Sequence, residues 1–257
     1  MTEFTLPEIT AEDLEELQQL TKNTLKNEEN IKLAENAETS QEILKVLSQE
    51  KDLYLRSRVA DHPNTPVEIL EILSKDESNI VQYGVASNSI TSSEILNFLS
   101  KNDDYGVRYA VAENPNTSVK TLNVLATDKD SDVRYCVARN PNTPVETLKV
   151  LATDKDFDVR YAVTKNPNVP VELLKVLATD EDYSVRQSAE GVLMNLQIAS
   201  NPTISSEILK IFATDRNSTV RCAVAGNPST PVETLKVLET DKNSTVRYAV
   251  AQNPNTL

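Results

Sequence analysis

The chain of 257 residues has no tryptophan, four glycines, two cysteines and a single histidine. Each scarcity removes a class of structure. Four glycines are too few for Gly-rich phosphate loops, and they argue against barrels and sandwiches, whose many turns draw on left-handed backbone. Cys136 and Cys222 make neither a CxxC pair nor a disulfide framework, which fits a reducing compartment. His62 is the only histidine, so a catalytic triad or a histidine metal site lacks its second member. Basic side chains are outnumbered 26 to 39, a formal charge of −13 that repels phosphate backbones and anionic lipid. No apolar run approaches the ~20 residues of a membrane-spanning helix. The opening Met1-Thr-Glu-Phe-Thr-Leu-Pro-Glu8 lacks the basic start and apolar core of a secretory signal. A cytoplasmic protein is expected.

What the chain does have is a period. Arg108, Arg134, Arg160 and Arg186 are each 26 residues apart, and the same step backwards reaches Gln82, Arg56 and Asn30. The next step, to Arg221, is 35, after which 26 returns at Arg247. A fixed period between about 20 and 50 residues is the mark of a solenoid, in which each unit buries its apolar face only against its neighbours. Each unit reads as two short helical pieces. In the first, Val107, Ala110 and Val111 share one stripe, and Asn114-Pro115 ends it because the residue before proline leaves the α region. The second opens on a capping-box pattern, Thr143-Pro-Val-Glu146, also seen at Thr65 and Thr230, with Val145, Leu148, Leu151 and Ala152 as its buried stripe. No segment alternates as a strand does. The long step is explained by residues 187–198, where Val192, Leu193, Leu196 and Ile198 keep helical spacing and predict one helix longer by about 2.5 turns. Those extra residues either fill the core or project as a contact. Residues 1–29 stand outside the period and predict an N-terminal helical cap over an array running 30–257. The array stops within a repeat, so its last apolar face is exposed or covered by another chain.

The motif Val-Arg-Tyr-x-Val-Ala-x-Asn-Pro-x-Thr-Pro-x-x-x-Leu-x-x-Leu-Ala-x-Asp resembles the leucine-rich repeat variant family, and the wider HEAT-like helical repeats. The resemblance spans about residue 30 to 257. It implies an all-α, right-handed superhelical solenoid of about eight 26-residue two-helix repeats, with α pieces alternating with 3₁₀ pieces. One member type of that family carries an N-terminal cysteine-ligated iron–sulfur cluster. Because no cysteine precedes Cys136, the cluster does not transfer here, and no cofactor is expected. The family implies no common reaction, and fold alone does not assign one.

Four residue rows remain. The arginines Arg108, Arg134, Arg160, Arg186, Arg221 and Arg247 each follow an aspartate six positions earlier: Asn102 aside, these are Asp128, Asp154, Asp180, Asp215 and Asp241. The matched phase predicts a ladder tying repeats together, against the alternative of an anion-binding stripe. The asparagines Asn114, Asn140 and Asn166 predict turn caps through bonds to their own backbone, with His62 in their phase. The runs Asp128-Lys-Asp-Ser-Asp132 and Asp154-Lys-Asp-Phe-Asp158 begin like calcium loops. They place valine at the sixth position and Arg139 or Lys165 at the twelfth, so no metal is expected. The tyrosines Tyr83, Tyr109, Tyr135, Tyr161 and Tyr248 share one phase opposite the core stripe, with Glu113, Arg139 and Lys165 at its edge. They either pack between repeats or grip a partner. The reading is a non-enzymatic protein–protein interaction scaffold binding along a Tyr/Arg face. Self-association would use the uncapped C-terminus or the 187–198 helix. The alternative is a HEAT-like nucleic-acid-binding or DNA-mimic protein.

Overall fold

A computed structural model of the chain describes residues 28–256. The cap expected over residues 1–29 therefore lies, but for its last two positions, outside the described residues. The chain divides into two compact units, Met1–Ile95 and Leu96–Leu257. The described elements are α-helices in alternation, with no strand or 3₁₀ segment among the described residues. The 3₁₀ pieces implied by the family resemblance are thus seven-residue α-helices here. In the first unit the helices Leu53–Asp61 and Asn79–Ser87 alternate with Gln41–Leu47 and Val67–Leu73. In the second, one row is Tyr105–Glu113, Ser131–Arg139, Phe157–Thr164, Tyr183–Ala199, Ser218–Gly226 and Ser244–Ala251. Between them lie Val119–Leu125, Val145–Leu151, Val171–Leu177, Ser206–Phe212 and Val232–Leu238. We refer to the two rows as the Arg helices and the Leu helices.

Local chemistry sets each boundary. The Arg helices start on an N-cap carboxylate or amide: Asp52, Asp130, Asp156, Asn217 and Asn243 accept the backbone N–H two residues on. Several end on the residue before proline, as at Asn114 and Asn140, where ψ is 127°. The Leu helices do not begin as the capping box predicted. Pro144 is the N-cap and offers no side-chain bond. The Thr143 hydroxyl instead donates to the Val137 carbonyl at 2.5 Å, closing the end of the preceding helix, and Thr65 and Thr230 do the same to Val59 and Val224. Glu146 turns outward to Lys149. Threonine stands one residue too early to cap, and burial turns its hydroxyl toward the second lone pair of carbonyls that already accept the N–H three residues on. Where serine replaces proline, Ser118 caps the N–H of Thr121.

The core is a line of leucines and valines: Leu148, Leu174, Val111, Val137 and Val163 are all at most 1% exposed. Val145, expected in the buried stripe, is 39% exposed, while Thr147 two residues on is buried and donates to Asn123 Oδ1 of the preceding Leu helix. The Arg helices meet across a row of small residues. At Gly84 an added Cβ would come within 3.1 Å of both Ala60 Cβ and the Ser57 carbonyl, so the close approach requires glycine there. The same phase holds Ala110, Cys136, Ala162 and Ser188 in the second unit.

Buried asparagines bind the turns of successive repeats. The Asn140 Oδ1 accepts the Asn142 N–H, the expected self-contact, but its Nδ2 also donates to the Ala112 and Asn114 carbonyls of the preceding repeat at 2.8 and 3.1 Å. Asn166, Asn227 and Asn253 repeat the pattern. His62 imitates it: Nε2 meets the Asn36 carbonyl at 2.9 Å and Nδ1 accepts the Asn64 N–H. The histidine is a structural stand-in for asparagine.

Asn140→Asp would keep the acceptor and aim a carboxylate at two carbonyl oxygens. It is expected to destabilise the fold more than Asn140→Ala, which should itself cost about 2–3 kcal/mol for three lost bonds and the Ala112 carbonyl left without its donor. Urea unfolding at pH 7 checks the order; equal losses would mean that the amide donor is unimportant.

Candidate functional site

The arginine row is engaged inward. Arg134 Nε and Nη2 reach both oxygens of Asp154 at 2.7 and 2.9 Å, while Nη1 donates to the carbonyls of Asp128 and Lys129. The carboxylate lies twenty residues later, in the next repeat, and the aspartate six residues earlier contributes its carbonyl. Asp128, Asp154, Asp180 and Asp241 therefore each serve two arginines: the Asp128 side chain takes Arg108, and its backbone takes Arg134. Arg56–Asp76, Arg160–Asp180 and Arg221–Asp241 share this fork, with side chains 12% exposed or less. Burial alone would push the Asp76, Asp128 and Asp154 carboxyls up. The arginine bonds and the backbone N–H two residues on outweigh it and hold them below the usual carboxylate range. At Asp180 and Asp241 the arginine bond is the larger influence, to the same effect. Asp128 and Asp154, the first positions of the calcium-like runs, are consumed in these pairs. Among the described residues no group of three His, Cys, Asp or Glu is placed to hold a metal ion.

The ladder breaks at the long helix. Arg186 donates to the Asp180 and Glu181 carbonyls but has no carboxylate partner among the described residues, and Arg247 is bonded only to the Asp241 carbonyl. Asp215 receives Asn195 Nδ2 at 3.3 Å in place of an arginine. Arg186, Arg247 and Asp215 are thus corrections to the expected Arg–Asp ladder. The physical cause is spacing: nine extra residues in one helix put Arg186 beside the repeat before it and Asn195 beside the repeat after. Asn201 is exposed and its amide does not reach back as the other asparagines do. Contacts across non-adjacent repeats bridge this seam. The Ser218 N–H and hydroxyl both donate to the Pro167 carbonyl at 2.8 Å, and Asn243 Nδ2 donates to Asn168 Oδ1 at 3.2 Å. Of the extra residues, Val192 and Leu196 pack on the core around Leu209, Val220 and Val224, while Met194 is 63% exposed.

The tyrosine row has two environments. Tyr109, Tyr135 and Tyr161 are half-buried, whereas Tyr83 and Tyr248 are 44% and 68% exposed. The Arg139 guanidinium lies 5.6 Å from the centre of the Tyr135 ring and donates to its hydroxyl at 2.9 Å, and Lys165 Nζ lies 4.9 Å from the Tyr161 ring. A second aromatic row, not singled out from the sequence, stands one turn earlier: Tyr105, Phe157 and Tyr183, at 53%, 46% and 65% exposure. Two concavities open on this side of the second unit. One, of about 230 Å³, is lined by Tyr109, Glu113, Tyr135, Arg139 and Arg216 among others, and one, of about 700 Å³, by Phe157, Tyr161, Lys165 and Gln187 among others.

No protein-family model matches the chain, and no curated protein does. Solved structures do. The chain is similar to a leucine-rich repeat variant described as having a novel repetitive structural motif. The two share 26% identity over 82% of this chain and 80% of the other, with a TM-score of 0.48. It is also similar to YibA of Escherichia coli, at 16% identity over 97% and 98% of the two chains with a TM-score of 0.43. An engineered protein matches at 19% identity over 88% and 83%, with a TM-score of 0.33. The helices described above alternate two to a repeat, the arrangement of an α solenoid of two-helix repeats.

The Leu helices carry a further row that the sequence reading missed. Val124, Val150, Val176, Ile211 and Val237 recur in phase and are 57–65% exposed. The period could have located them, since they share one phase, but their helical neighbours Leu125 and Leu151 are buried and a stripe assignment cannot separate adjacent aliphatics. No helix among the described residues is long and apolar enough to cross a membrane.

Because the ladder carboxyls sit below their ordinary value, their contribution is present above the unfolded-state value near 3.8 and is lost as pH falls through the depressed folded values. Urea midpoints should fall steeply below about pH 4, and less steeply in Asp154→Asn. Arg134→Lys, which keeps charge but loses the fork, should cost about 2–3 kcal/mol, and Arg134→Ala about 3–5. A loss under about 1 kcal/mol for Arg134→Ala would mean that the fork adds nothing net. Burial pushes the Cys136 thiol up to about 11. At pH 8 only about one thiol in a thousand would be thiolate. Its reaction with a disulfide reagent in a Cys222→Ser background should still be rising above pH 9; a plateau near pH 8.5 would contradict the burial.

Proposed function

We propose that the chain is a non-catalytic scaffold that binds a protein partner on the aromatic side of the second unit. The observation that carries this reading is the pairing of rings at i and i+4 on two Arg helices that flank Ser131–Arg139, Tyr105 with Tyr109 and Phe157 with Tyr161, in a chain only 5% aromatic. Rings held at one edge and open at the other are typical interface anchors, because they add contact area at little entropic cost. Arg139 and Lys165, fixed over Tyr135 and Tyr161, give the rim a charge pattern that selects among partners. Tyr248, 68% exposed and of the same phase, extends the row within the second unit. The arginine row does not belong to this face, since its guanidiniums are occupied by aspartates and carbonyls, and the Tyr/Arg face reduces to tyrosine, Arg139 and Lys165. The same occupancy disfavours nucleic-acid binding, which needs those cations free along a groove. Self-association through the long helix, where Met194 is exposed, remains part of the proposal as a second copy of the chain acting as partner.

The test is capture of partners from nuclease-treated source-cell lysate. It compares the wild type with a Tyr105→Ser/Phe157→Ser/Tyr183→Ser variant and with Val124→Ser/Val150→Ser on the opposite row. These positions are exposed, so melting temperatures should hardly move. The aromatic variant is expected to lose at least tenfold of a captured protein that the valine variant keeps. The reverse pattern would move the interface to the Leu helices, and retention of only nuclease-sensitive material would overturn the scaffold reading.

A further inference from the structure

The smaller concavity has a composition unlike the rest of this acidic chain. Arg139 and Arg216, 77 positions apart in sequence, line the same space of about 230 Å³ with Tyr109, Tyr135 and Glu113. Neither arginine has a carboxylate partner among the described residues. Arg139 spends one Nη1 bond on the Tyr135 hydroxyl, and among the described residues its remaining N–H groups meet no acceptor. Arg216 is exposed, yet its backbone is fixed: its carbonyl accepts Arg221 Nη1 at 3.0 Å, Asn217 beside it is 5% exposed, and Ser218 is bonded to Pro167. The seam contacts thus bring Arg216 over the surface of the repeat that carries Arg139. Five other arginines of the array meet a bidentate aspartate, so a guanidinium pair without one is an unmet version of the fork that the fold uses elsewhere.

We infer that Arg139 and Arg216 form a receptor for a single carboxylate, presented by an aspartate or glutamate side chain of the bound protein partner. The charge count decides between oxyanions. Two guanidinium groups and the Glu113 carboxylate sum to one positive charge, which a monoanionic carboxylate neutralises and a phosphate dianion exceeds. Tyr109 and Tyr135 wall the space and lower its effective dielectric, which strengthens charge-assisted bonds within it. The inference deepens the scaffold reading by naming what the partner places between the aromatic rows, and it rests on that reading for its biological setting.

The probe is a blocked Gly-Glu-Gly tripeptide, compared with its Gln analogue and with inorganic phosphate at matched ionic strength. Arginine Nε–Hε resonances are followed by NMR on the full chain. The Glu peptide should shift Arg139 and Arg216 saturably and leave Arg186 and Arg247, which also lack carboxylate partners, unmoved. The Gln peptide should bind at least fivefold more weakly. Arg216→Gln, an exposed change that leaves the melting temperature unaltered, should abolish the Arg139 shift. Non-saturating shifts, equal shifts at Arg247, or tighter binding of phosphate than of the Glu peptide would each overturn the assignment. Partner capture that depends on the aromatic residues but survives Arg216→Gln would remove this receptor while leaving the scaffold reading intact.

Discussion

The structure depends on one buried interaction repeated along the chain: an arginine whose guanidinium grips the aspartate of the next repeat and the loop carbonyls of its own. Helices of seven to nine residues are too short to persist alone, since nucleation costs more than so few bonds return. Their stability comes from stacking, and a stack needs something that sets each repeat's position on the last. Apolar contact between valines and alanines is non-directional and would tolerate sliding. The fork is directional in two ways, because a planar donor meets a carboxylate twenty residues ahead while its remaining nitrogen reads two carbonyls behind. The Asn140 amide does the same for the turns with neutral groups. Removing either leaves buried polar atoms without partners, which is costlier than the bonds themselves.

That dependence explains what the insertion does. Lengthening one helix by nine residues separates the two jobs of a ladder position, so Arg186 serves one repeat and Asn195 the other. The weaker Asn195–Asp215 contact and the silent Asn201 leave the seam short of directional bonds. Ser218, Asn243 and the Pro167–Asn168 turn supply others across non-adjacent repeats. The seam beside the long helix is thus also where residues distant in sequence converge, and Arg216 and Arg139 line one concavity there. Local departure from a repeat rule at the chemically distinctive site is what consistency across levels leads one to expect.

Much of the fold was legible because a period is a strong signal. The Arg and Asn rows, the helix ends before proline and the long helix near residue 187 were all readable from spacing, and a ladder of arginine with loop aspartate was the expectation drawn from the matched phases. The errors were of one kind. Thr143 was read as a cap and Val145 as core from patterns that are correct for an isolated helix, and both were displaced by what the neighbouring repeat presents. The exposed valine row and the Tyr105–Phe157–Tyr183 row were missed for the same reason: helical phase shows which side a residue occupies, and only the neighbour's position shows how much of that side is covered.

The sequence by itself determined the class of structure and its bonds at short range, because period, proline placement and capping chemistry act within one or two repeats. It set arginine and aspartate at matching phases, from which a ladder was the expectation. Only the tertiary structure decided which repeat supplies each partner, which tyrosines are half-covered and where the ladder fails. It alone placed Arg216 with Arg139. The physical reason is that exposure and long-range proximity depend on how small angles between successive repeats accumulate, and those angles are set by packing across every interface at once.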